Sequence, residues 1–255
     1  MKFVKYELND LDLHKVSILI LTHNRCKLSK EFIPKIIENI GETDTDVLIW
    51  DNGSTDGSFD WLCCYGLREP RVSFVCSSPK NYGLEAINFL AEQSKSKYIV
   101  KVDDDIEVPF GFVDDLIQAY EEVNDERLLH ITYDMKWHTG KSFALRSGRK
   151  VFKRFGEIRR VGNKHEILII KKPSKFMVNG VCRLCEREKF LNIGGHPAGC
   201  LYGIDKKVSE IAEQNEYWCA FLNTGSLIEH KGVDSKEYRE FKDRELRRIG
   251  ASLHV

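Results

Sequence analysis

The first part of the chain alternates short apolar runs with helical patterns. The apolar runs are rich in Val and Ile and have the length of strands buried on both faces of a sheet; they cover residues 16–21, 47–50, 72–76, 98–102 and 128–133. Helical spacing between the runs predicts helices that begin near Pro34, after a cap at Ser58, and over 84–93 and 112–120. This alternation predicts an α/β fold with a mostly parallel central sheet flanked by helices.

Three consecutive carboxylates follow the run at 98–102, namely Asp103, Asp104 and Asp105. Crowded carboxylates repel one another unless a cation lies between them. Ligands of open α/β sheets bind at the carboxyl ends of the strands, and Mg²⁺ or Mn²⁺ takes oxygen ligands and bridges carboxylates to phosphates. Asp103 and Asp105 are therefore a candidate metal and sugar-nucleotide site. A helix cap or a loop decoration is the alternative.

A strongly basic stretch begins after Met135. Residues 136–175 contain 13 Lys and Arg against 2 Glu, although the whole chain carries 39 residues of each sign. An apolar run at 166–170 and flanking turn residues predict a hairpin-like insertion. Such a charge split indicates a polyanionic partner. The densest positive charge lies at Arg149, Lys150, Lys153, Arg154, Arg159 and Arg160.

Regular patterns return after the insertion. Strands are predicted at 177–184, 218–222 and 227–230, together with a charged helix at 235–249. A further helix follows Asp205, which is suited to an N-cap.

The composition limits the class of protein. The 255 residues, 42% of them hydrophobic, suffice for one large domain with a real core. No apolar run approaches the length of about 18 residues that spans a bilayer, and the first residues lack the apolar centre of a signal peptide. We therefore expect a soluble, cytoplasmic protein. Its eight cysteines are expected to be reduced and mostly buried, and the lone Cys182-x-x-Cys185 pair lacks the second pair that a structural zinc site needs.

Four segments resemble, in order, the signatures of family 2 glycosyltransferases, which have the GT-A fold. They are VSILILTHNR, VLIWDNGSTDGS, NYGLEAIN and YIVKVDDDIEVPFGF, and a weaker likeness continues over 178–232. The resemblance implies one Rossmann-like sandwich over 1–255. It would consist of a nucleotide-sugar half at 16–135, the basic insertion at 136–175, an acceptor half at 176–232 and a C-terminal helix at 233–255.

The resemblance also implies the ligands and the residues that hold them. The donor would be a nucleotide sugar, with UDP favoured, and the cofactor Mn²⁺ or Mg²⁺. Asp51 matches the residue that accepts a hydrogen bond from a uracil-type base, although an Asx turn is its alternative role. The other implied donor-site residues are Thr22, Asn24, Arg25, Asn52, Asn81, Asp103 and Asp104. The implied metal ligands are Asp103, Asp105 and His230, although a lone histidine at a strand end is about as often structural.

The candidate catalytic base is Asp205. It falls on the aspartate of the family's GEDxDL segment, where this chain has GIDKKVS. Ile204 and Lys207 replace two acids of that pattern, which leaves the acceptor open because this segment contacts it. The alternative role of Asp205 is the helix N-cap named above.

The leading interpretation is an inverting, metal-dependent glycosyltransferase. Basic residues interleaved with Phe143, Phe152 and Phe155 suit phosphate contacts and base stacking, which favours a hydroxylated base in DNA slightly over an anionic or lipid-linked glycan. A silent GT-A domain that binds nucleic acid is a second interpretation. A nucleotidyltransferase is a third, but such enzymes usually carry a glycine-rich basic loop where this chain has THNRCKLS.

Overall fold

A computed structural model describes residues 4–7, 14–136, 156–161, 165–176, 178–199, 203–232 and 240. The strands in these ranges are β1 (Val4–Glu7), β2 (Val16–Thr22), β3 (Thr45–Asp51), β4 (Val72–Ser77), β5 (Tyr98–Asp103), β6 (Ile106–Glu107), β7 (Leu128–Tyr133), β8 (Gly156–Val161), β9 (His165–Ile170), β10 (Cys182–Glu186), β11 (Trp218–Asn223) and β12 (Glu229–His230). The helices are α1 (Cys26–Glu38), α2 (Ser58–Gly66), α3 (Glu85–Gln93), α4 (Phe112–Val123), α5 (Arg187–Asn192) and α6 (Ile204–Gln214), with a 3₁₀ turn at Pro173–Lys175.

Ten of the described strands form one sheet in the order β1-β4-β3-β2-β5-β10-β7-β11-β9-β8. Seven of these ten strands run in the same direction, and β1, β9 and β10 run in the opposite direction. The predicted α/β class with a mostly parallel sheet is therefore confirmed. The remaining two strands, β6 and β12, pair as a separate antiparallel ribbon.

The core lies on both faces of this sheet, because successive residues of each strand point in opposite directions. Ile18 and Ile20 pack with α1 and α4 on one face, whereas Leu19 packs with α3 and α5 on the other. A third apolar cluster joins α6 to β9 and β11. The predicted helices on both faces are thus present.

The start of α1 differs from the sequence prediction. The helix begins at Cys26, and Pro34 lies inside it rather than near its first turn. Proline removes one backbone hydrogen bond from a helix. Burial of Phe32, Ile33 and Ile36 on the sheet offsets this loss. In α2 the N-cap is Gly57, so the predicted cap at Ser58 is wrong; Ser58 instead donates to Asp56.

The strand predicted at 177–184 is shorter and begins later, at Cys182. The segment before it is irregular because its carbonyls bind groups of β5: Val181 accepts from the Asp103 N–H at 2.9 Å, and Gly180 accepts from Lys101 Nζ at 2.7 Å. Within β10, Cys182 and Cys185 point into the cores on opposite faces of the sheet. They cannot share a metal ion, and none of the seven described cysteines forms a disulfide.

The basic insertion contains the predicted hairpin. Strands β8 and β9 pair antiparallel, and β9 joins the main sheet beside β11. Its candidate residues Arg149, Lys150, Lys153 and Arg154 lie outside the described residues, as does the predicted helix at 235–249 apart from Glu240. None of the described helices is long and apolar enough to cross a bilayer.

Candidate nucleotide and metal site

The carboxyl ends of β2, β3 and β5 bring the predicted site residues to one edge of the sheet. Thr22 at the end of β2 lies opposite Asp51 at the end of β3, and Leu21 lies opposite Asp103 at the end of β5. The three strands are parallel neighbours, so their polar ends form a continuous rim. This is the edge at which open α/β sheets bind ligands.

Asp51 is fully buried at this rim, and its two oxygens have different surroundings. Oδ2 accepts hydrogen bonds from Ser77 Oγ at 2.7 Å and from the Ser54 N–H at 3.1 Å. Oδ1 is also buried but receives no hydrogen bond from the described residues. The bond from Ser54 is the turn contact that the sequence offered as an alternative role. Asp51 therefore closes the turn with one oxygen and keeps the other as an acceptor.

Asn24 and Asn52 hold the loops that surround Asp51. Asn24 has a left-handed backbone, with φ of 50°, and its Oδ1 accepts from the Thr55 N–H at 2.8 Å. The Asn52 side chain accepts from the Tyr82 N–H and donates to Asn81 Oδ1, both at 2.9 Å. Asn52 and Asn81 thus join the loop after β3 to the loop before α3.

A hydrogen-bonded chain joins β2 to the aspartate triplet. The Thr22 and Ser29 hydroxyls lie 2.9 Å apart, and Ser29 donates to Asp104 Oδ2 at 3.0 Å. Arg25 Nη1 lies 3.1 Å from Asp104 Oδ1 and 2.6 Å from Asp105 Oδ2. Asp104 therefore faces α1 with both oxygens occupied, and Arg25 anchors the loop after β2 to the triplet.

Among the described residues, Asp103, Asp105 and His230 form a group of three side chains that could hold a metal ion. One ligand atom from each lies within 4.8 Å of the others. His230 Nε2 is 3.2 Å from Asp105 Oδ1 and 3.6 Å from Asp103 Oδ2. The ribbon of β6 and β12 positions His230 opposite Ile106, and the Lys231 N–H donates to the Asp105 carbonyl at 2.8 Å. Asp103, Asp105 and His230 are thus brought together as the resemblance implied.

The two carboxyl groups differ in electrostatic environment. Burial raises the pKa of Asp105 to about 6, although Arg25 and His230 act in the opposite direction. Burial also acts to raise the pKa of Asp103, but the charge of Lys101 and the contact with His230 hold it well below its usual range. A cation between the two groups would favour the ionised form of each.

Lys101 is a site residue that sequence reasoning missed. It lies two residues before Asp103 on β5, so both side chains point to the same face, and its Nζ forms an ion pair with Asp103 Oδ1. The signal was a lysine inside the apolar run YIVKV, since lysine is rarely buried in a strand without a partner.

Asp205 lies in the first turn of α6, where Gly203 is the N-cap and no side-chain cap bond forms. The N-cap role considered for Asp205 is therefore wrong. Its Oδ1 accepts instead from Arg183 Nη2 at 3.0 Å, across from β10. Gly180 packs against this pair and also accepts from Lys101, which connects Asp205 to the Asp103 side of the site.

The fold resembles solved glycosyltransferase structures at low sequence identity. The mannosyltransferase PcManGT from Pyrobaculum calidifontis, in complex with GDP-Man and Mn²⁺, is 16% identical with a TM-score of 0.64, over 93% of this chain and 62% of that one. S. aureus TarS 1–349 with UDP-GlcNAc is 15% identical with a TM-score of 0.63, over 88% of this chain and 60% of that one. The chain thus spans about three fifths of the length of these two proteins.

Sequence comparison assigns the family. No curated protein matches the sequence significantly. The family model for glycosyl transferase family 2 matches residues 17–194, which is more than half of the chain and includes Asp51 and the aspartate triplet. The chain therefore belongs to glycosyl transferase family 2.

Proposed function

We propose that this protein is an inverting, metal-dependent glycosyltransferase that uses a UDP-sugar. The observation that carries the proposal is the convergence of Asp103, Asp105 and His230 within 4.8 Å at the carboxyl end of β5. The solved structures with GDP-Man and Mn²⁺ and with UDP-GlcNAc are consistent with a nucleotide-sugar donor.

The three side chains fit Mn²⁺ or Mg²⁺. Carboxylate oxygens suit these hard cations, and Mn²⁺ also accepts an imidazole nitrogen. Asp105 Oδ1 is buried and accepts no hydrogen bond from a described residue, although His230 Nε2 lies 3.2 Å away, so a positive ligand would satisfy it. Bound there, the cation would neutralise and orient the diphosphate leaving group.

The surroundings of Asp51 favour uracil as the base. Uracil presents a single N3–H donor, which needs one acceptor. Guanine presents N1–H and N2–H₂ side by side, a pair that is best met by two oxygens. Ser77 and Ser54 occupy Oδ2, so Oδ1 is the one acceptor that Asp51 has left, and this matches the single donor of uracil better than the two of guanine.

Asp205 is the proposed general base. It would accept the proton of the acceptor hydroxyl as that oxygen forms a bond to the anomeric carbon, while the bond from that carbon to the diphosphate oxygen breaks. Attack from the side opposite the leaving group inverts the anomeric carbon. The segment that holds Asp205 lies beyond the residues matched by the family model, so this role depends on the geometry and on the weaker motif.

The basic insertion supports a polyanionic acceptor, and a hydroxymethylated base in DNA is the first candidate to test. Of its described arginines, Arg160 is exposed on β8. Arg159 pairs with Glu157 and donates to the Val123 carbonyl at 3.2 Å. Its guanidinium is therefore partly engaged in contacts within the protein. An anionic or lipid-linked glycan is the second candidate.

Metal dependence tests the proposal directly. Asp105→Asn removes a proposed ligand charge and should abolish hydrolysis of UDP-glucose or UDP-N-acetylglucosamine, measured as UDP release with Mn²⁺. Asp60→Asn, an equivalent change on the exposed face of α2, should leave the rate unchanged. Chelator should inactivate the wild type, and Mn²⁺ or Mg²⁺ should restore it. Full turnover in excess chelator would refute metal dependence.

A further inference from the structure

Two buried cations face each other across the β5–β10 pair beneath the site. Lys101 and Arg183 are direct cross-strand partners and are 7% and 5% exposed. Lysine and arginine are rarely buried this deeply unless they are paired. Each has its own carboxylate: Lys101 pairs with Asp103, and Arg183 pairs with Asp205.

The contact to Arg183 holds Asp205 by one oxygen. Arg183 Nη2 lies 3.0 Å from Asp205 Oδ1 and also donates to the Val178 carbonyl at 3.3 Å, so the guanidinium is fixed to the backbone before β10. The Asp205 side chain is 33% exposed, against 6% for Arg183. The carboxylate thus reaches the open edge of the site while its anchor is buried.

Gly180 lies between the two ion pairs. A Cβ at this position would lie 2.3 Å from Asp205 Oδ1 and 2.9 Å from Arg183 Nη2, which real side chains do not tolerate. The Gly180 carbonyl accepts from Lys101 Nζ at 2.7 Å. Gly180 therefore leaves no room for a side chain beside the Asp205–Arg183 pair, and its carbonyl binds the lysine of the other pair.

The neighbouring histidines add no positive charge beside Arg183. Burial first, and then the charge of Arg183, holds the pKa values of His130 and His196 well below the usual range. Both rings are therefore neutral at neutral pH. In the described part of the chain, Asp205 is the carboxylate within ion-pair distance of Arg183.

We propose that Arg183 is a positioning residue for the general base, which it holds by Asp205 Oδ1 at a distance from the metal ligands set by the β5–β10 pair. This inference rests on the proposed function, because it assumes that Asp205 is the base. In this role Arg183 acts through Asp205, the carboxylate to which its Nη2 donates.

A double-mutant cycle tests this dependence. The variants are Arg183→Gln, Asp205→Asn and the two combined, assayed with the UDP-sugar that the wild type hydrolyses faster, UDP-glucose or UDP-N-acetylglucosamine. Displacement of the base should lower kcat about 100-fold in Arg183→Gln, with donor KM nearly unchanged. In the Asp205→Asn background the second substitution should have no further effect, since there is no base left to position. Arg183→Lys should recover part of kcat. Arg127→Gln, at an arginine that pairs with Asp125 and stacks on Trp218, is the matched control.

Each outcome bears on one claim. Losses that multiply in the double variant, or a raised donor KM in Arg183→Gln, would show a general structural role and overturn the inference. The same holds if neither Arg183 variant folds while Asp205→Asn does. Normal turnover in Asp205→Asn would instead refute the base under the proposed function, whatever Arg183 does.

Discussion

At the scale of single residues, the unequal oxygens of Asp51 lead to a specificity test. Asp51→Ala removes the oxygen proposed to accept from uracil N3–H, and a hydrogen bond to a charged group contributes about 1.5–3 kcal/mol. UDP affinity with Mn²⁺, measured by calorimetry, should fall about 10- to 100-fold.

GDP serves as the control ligand in the same titration. Its affinity should be low in the wild type and change little in the variant, because one free oxygen does not match guanine. Equal losses for UDP and GDP would indicate collapse of the pocket. Unchanged UDP affinity would remove Asp51 from the base site.

The sequence predicted the acidic residues of the site better than the basic ones. Asp103 and Asp105 follow an apolar run directly, so the pattern placed them at a strand end, and the structure places them there. Lys101 was missed because the run at 98–102 was interpreted as a uniformly apolar strand. Arg183 could not be assigned at all, since its partner Asp205 is 22 residues away along the chain and meets it only through folding.

At the scale of elements, the β6–β12 ribbon sets the metal site. Gly232 lies two residues after the end of β12, and a Cβ there would lie 1.9 Å from Asp105 Oδ2. Gly232→Ala should therefore push Asp105 away from His230. We expect Mn²⁺ affinity, measured by calorimetry without nucleotide, to fall about 10- to 100-fold, as for other changes that displace metal ligands.

Gly225→Ala is the control for Gly232→Ala. Gly225 lies between β11 and β12 with φ of 86° and has open space around its Cβ position. Alanine there strains the backbone without a clash, so it should lower the melting temperature but not Mn²⁺ affinity. Equal Mn²⁺ affinity in the wild type and Gly232→Ala would contradict the role of the ribbon.

The predicted ends of helices and strands were wrong where tertiary contacts outweigh local sequence preferences. Pro34 indicated a helix start, but the buried face of α1 extends through it. The strand predicted at 227–230 is reduced to Glu229–His230, with Ile228 forming an isolated bridge to Met135. These segments pair with distant partners, and a local pattern does not contain that information.

At the scale of the whole molecule, the order of strands was the part least accessible to the sequence. Alternating strands and helices predicted a mostly parallel sheet, and β4, β3, β2 and β5 are parallel neighbours in it, but their order was not predicted. The antiparallel β10 enters between β5 and β7 although it follows both in the chain. The position of β10 beside β5 brings Lys101 and Arg183 opposite each other. The site thus depends on a long-range pairing that motif order alone does not specify.

The charge split between the insertion and the rest of the chain gives the last prediction. With 13 Lys and Arg against 2 Glu over 136–175, binding to DNA should weaken steeply with salt, with a log-log slope of about −0.9 per phosphate neutralised. Arg160→Glu should flatten that slope by about one and leave UDP-sugar hydrolysis intact, because Arg160 is exposed whereas Arg159 supports the fold. Lys30→Glu makes the same charge change at an exposed position of α1 and should not alter the slope.

A second experiment identifies the acceptor. The enzyme is incubated with labelled UDP-sugar and either hydroxymethylated DNA or a lipid-linked glycan, and the label in each acceptor is measured. Label in the glycan alone, with DNA binding insensitive to salt or undetectable, would eliminate DNA as the acceptor and make the insertion a site for acidic glycans.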